Sequence, residues 1–103
     1  MEKCRYRISP RAEADLDRYA RHIARDNHEA GLRLYDLARE TYEMLCEIPP
    51  MGVNYHPAKQ QLAGIRYVPV REYSRYLVFY KFTAQAVDII RLLHARMDKD
   101  GWL

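Results

Sequence analysis

The residues best suited to chemistry stand near the end of the chain, in LLHARMD at 92–98, where His94 and Arg96 are two apart. Histidine exchanges a proton near neutral pH, and arginine grips phosphate or carboxylate with a fixed fork of donors. Cleavage of RNA requires a base for the 2′-hydroxyl, cations for the phosphate and an acid for the leaving oxygen. His94 can serve as acid or base, with Arg96 beside it as a cation. Two other readings use the same residues. His94 and Arg96 suit an anion or partner contact, and a histidine sharing a strand face with Ile90 and Leu92 also suits a hydrogen-bonded strand end. Asp98 is then a surface partner for Arg96 or Lys99, contributing about 0–1 kcal/mol.

Such residues need a frame. The chain of 103 residues suffices for one domain spanning 1–103. A composition 49% hydrophobic and 30% charged fits a soluble globular fold. Apolar runs are too short to cross a membrane, and MEKCRYRIS lacks the apolar core of a signal peptide, so a cytoplasmic protein is expected. Cys4 and Cys46, like His22 and His28, match no metal-ligand spacing; His56, beside Tyr55 and Pro57, sits in a loop able to present a side chain. Neither metal nor cofactor is expected, and both cysteines are expected as reduced, buried apolar residues. Residues 1–49 carry 9 Lys/Arg against 10 Asp/Glu, and residues 50–103 carry 8 against 4, so −1 and +4 make the net +3. A basic second half points to an anionic partner, nucleic acid or acidic protein, or to a solvated face. Nine tyrosines favour a binding surface.

Tyr6-Arg7-Ile8 reads as a short strand stopped by Ser9-Pro10, which is an N-cap followed by proline at the first helical position. Ala12, Leu16, Tyr19, Ala20 and Ile23 then recur at helical spacing, up to a break at Asp26-Asn27. Leu34, Leu37, Ala38, Thr41, Leu45 and Ile48 mark a second helix over 28–47, ended by Pro49-Pro50. Residues 51–64 form a loop, with a helical turn at 58–62. IRYVPV at 65–70, SRYLVFYKF at 74–82 and AVDIIRLLH at 86–94 follow as strands joined by hairpin-sized connectors. The order β-α-α-β-β-β predicts an α+β fold, a helical hairpin on a small, mostly antiparallel four-stranded sheet.

That order, with the words YRISPRAEADLDRYARHIARDN, EIPPMG, GIRYVPV, YLVFYKF and IIRLLHARMD, resembles the RelE/ParE superfamily of bacterial type II toxin–antitoxin toxins. The VPV and YLVFY pair and the terminal LHARMD are similar to the ParE branch. The resemblance implies a toxin held by a cognate antitoxin, ParD-like or similar, in a hetero-oligomer. ParE-like members imply inhibition of DNA gyrase; RelE-like members imply cleavage of messenger RNA on the ribosome, with Arg66, His94 and Arg96 as the working residues. A degenerate member that binds antitoxin without toxicity is a third reading. Only Lys59 is basic in the loop before Arg66, and the tail KDGWL holds no tyrosine, which weighs against an endoribonuclease. The resemblance therefore implies target or nucleic-acid contacts at Arg66, Arg91, Arg96, Lys99 and Trp102. Antitoxin contacts are expected at Leu16, Tyr19, Tyr35, Tyr42, Tyr76 and Tyr80.

Overall fold

The structure is a computed structural model that describes residues 5–55, 64–97 and 99–103. Cys4, His56, Lys59, Asp98 and the helical turn expected at 58–62 lie outside the described residues.

The first strand, β1 (Arg5–Ile8), leads into helix α1 (Pro10–Ala24) and helix α2 (His28–Glu47). Both helices begin on caps legible in the sequence. The Ser9 hydroxyl accepts from the Ala12 amide at 3.0 Å with Pro10 behind it, and the Asn27 side chain accepts from the Ala30 amide at 3.0 Å. Gly31 lets the helices meet closely, because a Cβ there would lie 2.5 Å from the Ala20 carbonyl oxygen. A 3-10 turn at Pro49–Met51 follows. Then come β2 (Val53–Asn54), β3 (Arg66–Val70), β4 (Tyr73–Phe82), β5 (Ala86–His94) and a short C-terminal helix, α3 (Lys99–Trp102).

The sheet has five strands in the order β1-β5-β4-β3-β2. β1 runs parallel to β5, and the remaining pairs are antiparallel. The expected sheet of four strands gains β2, only two residues long, which pairs Val53 with Tyr67 and Asn54 with Arg66. Two residues carry no readable alternation, so composition could not reveal it.

One sheet face packs the helical hairpin. Leu34, Leu37, Ala38, Tyr42 and Leu45 from α2 meet Val68, Val78, Tyr80, Val87, Ile89 and Leu92. The opposite face carries a smaller cluster of Ile65, Phe79 and Leu93, covered in part by Tyr55, Met97 and Leu103. Tyr42 is 1% exposed and its hydroxyl has no partner among the described residues; burial holds its pKa far above the ordinary value for tyrosine. Cys46 is disulfide-bonded, which corrects the expectation of a reduced thiol. One turn before it, Tyr42 lies 5.8 Å from the Tyr6 ring, so the end of α2 runs beside the start of β1.

Candidate interaction cleft

The decisive irregularity lies in β5. Phe79 pairs with Arg91 and Tyr80 with Ile89, so Ile90 is an extra residue, a β-bulge. The bulge reverses the side-chain alternation. Ile90 joins the smaller cluster, whereas Leu92 joins the core beneath the helices. His94 therefore shares its face with Leu92 and not with Ile90, as regular alternation would require.

Beyond Ile89, β1 no longer covers the edge of β5, and α1 takes its place with side chains. The Ser9 hydroxyl donates to the Ile90 carbonyl at 2.7 Å, the Leu92 amide donates to the Asp15 carboxylate at 3.1 Å, and the His94 amide donates to the Tyr19 hydroxyl at 3.1 Å. Alternate residues of a strand turn their backbone groups to the same edge, which is why the bonds fall at 90, 92 and 94. Left unpaired in a buried setting, each such group would cost about 1–3 kcal/mol.

Asp15, 1% exposed, is the centre of this seam. It accepts two bonds from Arg91, Nε at 2.7 Å and Nη2 at 2.8 Å, and a weaker one from Arg18 at 3.2 Å. The hydrogen bonds that Arg91 donates to Asp15 raise the Arg91 pKa further. The remaining Arg91 nitrogen donates to the Trp102 carbonyl at 2.5 Å, and the guanidinium lies 5.7 Å from the Trp102 ring centre. A buried ion pair thus anchors the C-terminal helix. Arg91 is 6% exposed and fully engaged, so it is not a surface contact for a target, as the sequence suggested.

Tyr19, Tyr76, His94 and Met97, all half-buried, form an open cleft of about 590 Å³ with the exposed Arg18, His22, Arg96 and Trp102. The rings are closely placed, Tyr19 to Tyr76 at 4.8 Å and Tyr76 edge-on to His94 at 5.3 Å. The Tyr19 hydroxyl donates to the Met97 sulfur at 2.9 Å, and the Arg18 guanidinium lies 5.1 Å from the Tyr19 ring centre. His94 Nδ1 accepts from the Arg96 amide at 3.1 Å, so the neutral ring carries its proton on Nε2. Burial, then the charges of Arg96, Arg75 and Lys99, hold the His94 pKa below its ordinary 6.5. At pH 7 the ring is neutral. Among the described residues the cleft lining offers rings, a thioether and cations, and no carboxylate.

Arg66 is elsewhere. It pairs with Tyr80 across β3 and β4, whereas His94 pairs with Tyr76 across β4 and β5. Four residues along β4 and two strand spacings separate them, roughly 13 Å by 10 Å. Arg66 donates to the carbonyls of Pro50 at 3.2 Å and Gly52 at 2.8 Å, and Tyr80 bridges the same turn by donating to Pro49 at 2.6 Å and accepting from the Gly52 amide at 2.9 Å. Glycine is required there, because a Cβ on Gly52 would lie 2.4 Å from the Tyr80 hydroxyl. The trio Arg66, His94 and Arg96 therefore does not converge on one site.

The residues expected to meet an antitoxin divide. Tyr19 and Tyr76 line the cleft, Leu16 is half-buried against the core, and Tyr35 donates to Asp17 at 2.7 Å. Tyr42 and Tyr80 are corrected to core residues, at 1% and 0% exposure. Of the expected target contacts, Arg96 and Trp102 reach the cleft, and Lys99 donates to the Ala95 carbonyl in the turn beside it. Sequence reasoning missed Arg18, His22 and Met97; the first two, on adjacent turns of the wet face of α1 around Tyr19, were the available signal.

A family model described as the ParE toxin of the type II toxin–antitoxin system parDE matches residues 6–99. The chain superposes on a solved structure titled the chromosomal ParDE toxin–antitoxin system from P. aeruginosa with a TM-score of 0.71. The match covers 89% of this chain and 96% of that one at 16% identity, a likeness of fold. No curated protein matches the chain.

Proposed function

The chain belongs to the ParE toxin family of type II toxin–antitoxin systems, and from that membership we propose that it inhibits DNA gyrase when free and is held inactive by a cognate antitoxin. The observation that carries the reading is the cleft: Tyr, Trp, Met and Arg, the residue types enriched where proteins bind, meet beside an anchored C-terminal helix. A ParD-like antitoxin with an acidic, apolar segment suits the rings and the cationic rim, in a cytoplasmic hetero-oligomer. Strand addition would use the outer edges of β1 or β2, because α1 closes the free edge of β5. Among the described residues no helix is long and apolar enough to cross a membrane. The messenger RNA reading draws no support from the geometry, since Arg66 stands far from His94 and binds backbone carbonyls.

Incubation of the purified protein with gyrase and supercoiled plasmid tests the proposal. Linear, cleaved plasmid is the expected product. An untouched plasmid, with transcripts cut on translating ribosomes, would overturn it.

A further inference from the structure

The cleft continues onto the outer face of α1, where Ala14, Asp17, Arg18, Arg21, His22 and Arg25 line a second open groove of about 460 Å³. Arg18 and His22 belong to both, so the two form one surface. From Arg18 to Arg25 is seven residues, about 10.5 Å of helix, which carries three arginines and a histidine. Asp15 is buried under Arg91, and Asp17, held by the Tyr35 hydroxyl at 2.7 Å, is the one acid among the described residues lining this groove, against three arginines. At the far side Arg96 extends the cationic track past the aromatic rings.

Trp102 gives this track a second property. The residue is 46% exposed, while Arg91 lies 5.7 Å from its ring centre and binds its carbonyl. A held indole in the open, beside arginines whose forks match phosphate, is the combination that grips unpaired nucleotides: bases stack on the ring and phosphates follow the charges. An oligoglutamate satisfies the charges but gives a flat indole no ring to stack on.

We propose that this surface binds single-stranded DNA, with Trp102 as the stacking platform and Arg18, Arg21, Arg25 and Arg96 as phosphate contacts. The inference rests on the gyrase reading and deepens it: the toxin would touch the DNA that its target opens. Fluorescence anisotropy of the full chain with a labelled oligodeoxythymidine, without gyrase, tests it. Four phosphate contacts predict about a fiftyfold loss of affinity between 50 and 200 mM salt, and Arg21→Gln with Arg25→Gln reduces that loss to about sevenfold. Trp102→Ala, which keeps the backbone carbonyl that Arg91 holds, weakens binding about tenfold or more, with an unchanged thermal midpoint verifying the fold.

Equal affinity for duplex DNA, or full displacement by an oligoglutamate of the same charge, would overturn the proposal. So would a protein that inhibits gyrase yet binds no oligonucleotide, and that result would leave the gyrase reading standing. Oligonucleotide binding without gyrase inhibition would sink the functional reading and not the surface.

Discussion

Each end of the sheet carries an arginine that the sequence marked for function, and their fates are opposite. At one end the guanidinium of Arg66 is spent on the carbonyls of Pro50 and Gly52, with Tyr80 bridging the same turn. At the other, buried Arg91 takes the structural load through Asp15 and Trp102, so Arg18 and Arg96 remain exposed around an open cleft. The lesson is that an arginine's role is decided by which backbone oxygens lie within its reach. A fixed fork beside unpaired carbonyls becomes a clasp, and only cations without that option are left for a partner.

Breaking the load-carrying pair should have the largest effect. Arg91→Met leaves the buried Asp15 charge with the Leu92 amide and a weak Arg18 contact alone, and should destabilise the fold by about 3–5 kcal/mol, read as a fall in the denaturation midpoint. The double substitution Arg91→Met with Asp15→Leu should recover part of that loss, since an apolar pair leaves no stranded charge. Recovery of nothing would mean that the Leu92 amide, deprived of its acceptor, dominates.

Tyr80→Phe comes next. It removes the acceptor for the buried Gly52 amide and the donor to Pro49, at a cost of about 1–3 kcal/mol. Gyrase inhibition per folded molecule should not change, because that end of the sheet lies away from the cleft. Reduced inhibition at full folding would erase the distinction between the two ends. Arg66→Met should behave alike at a smaller cost of about 1–2 kcal/mol, measured by urea titration.

His94→Gln should have the smallest effect on stability at pH 7, where the ring is already neutral. Its mark is in the pH dependence. A histidine whose folded pKa lies below its unfolded 6.5 binds its proton more readily in the unfolded chain, so stability falls as pH drops from 6.5 through the folded value. The substitution should flatten that part of the curve. An unaltered curve would show that neither burial nor the cations around it perturb His94.

Much of the frame was legible because its signals are local. Ser9-Pro10 and Asn27 announced both helix starts, and α2 begins at His28 and ends at Glu47 just where periodicity and Pro49-Pro50 put it. What stayed hidden depends on contacts distant in sequence. The bulge at Ile90 is stabilised by Ser9 and Asp15, more than seventy positions away, and nothing in AVDIIRLLH records that partnership. From that one residue follow the face His94 occupies and the register that pairs Arg91 with Phe79. Tyrosine was misjudged for a related reason, since burial at Tyr42 and Tyr80 and exposure elsewhere look identical in a list of residues. Cys46 shows the same limit, because a lone helical cysteine does not reveal what lies beside it.

The seam between α1 and β5 also governs how the protein fails. A strand edge capped by three side chains has no ladder of its own to fall back on. If α1 lifts, the backbone groups at Ile90, Leu92 and His94 lose their partners together, and the segment IRLLH becomes a bare, mostly apolar edge. A second copy of the chain can extend that edge as readily as α1 can close it. Keeping the helix seated is thus what keeps this stretch of the sheet closed to a second chain, and that seating rests on Ser9, Asp15 and Tyr19.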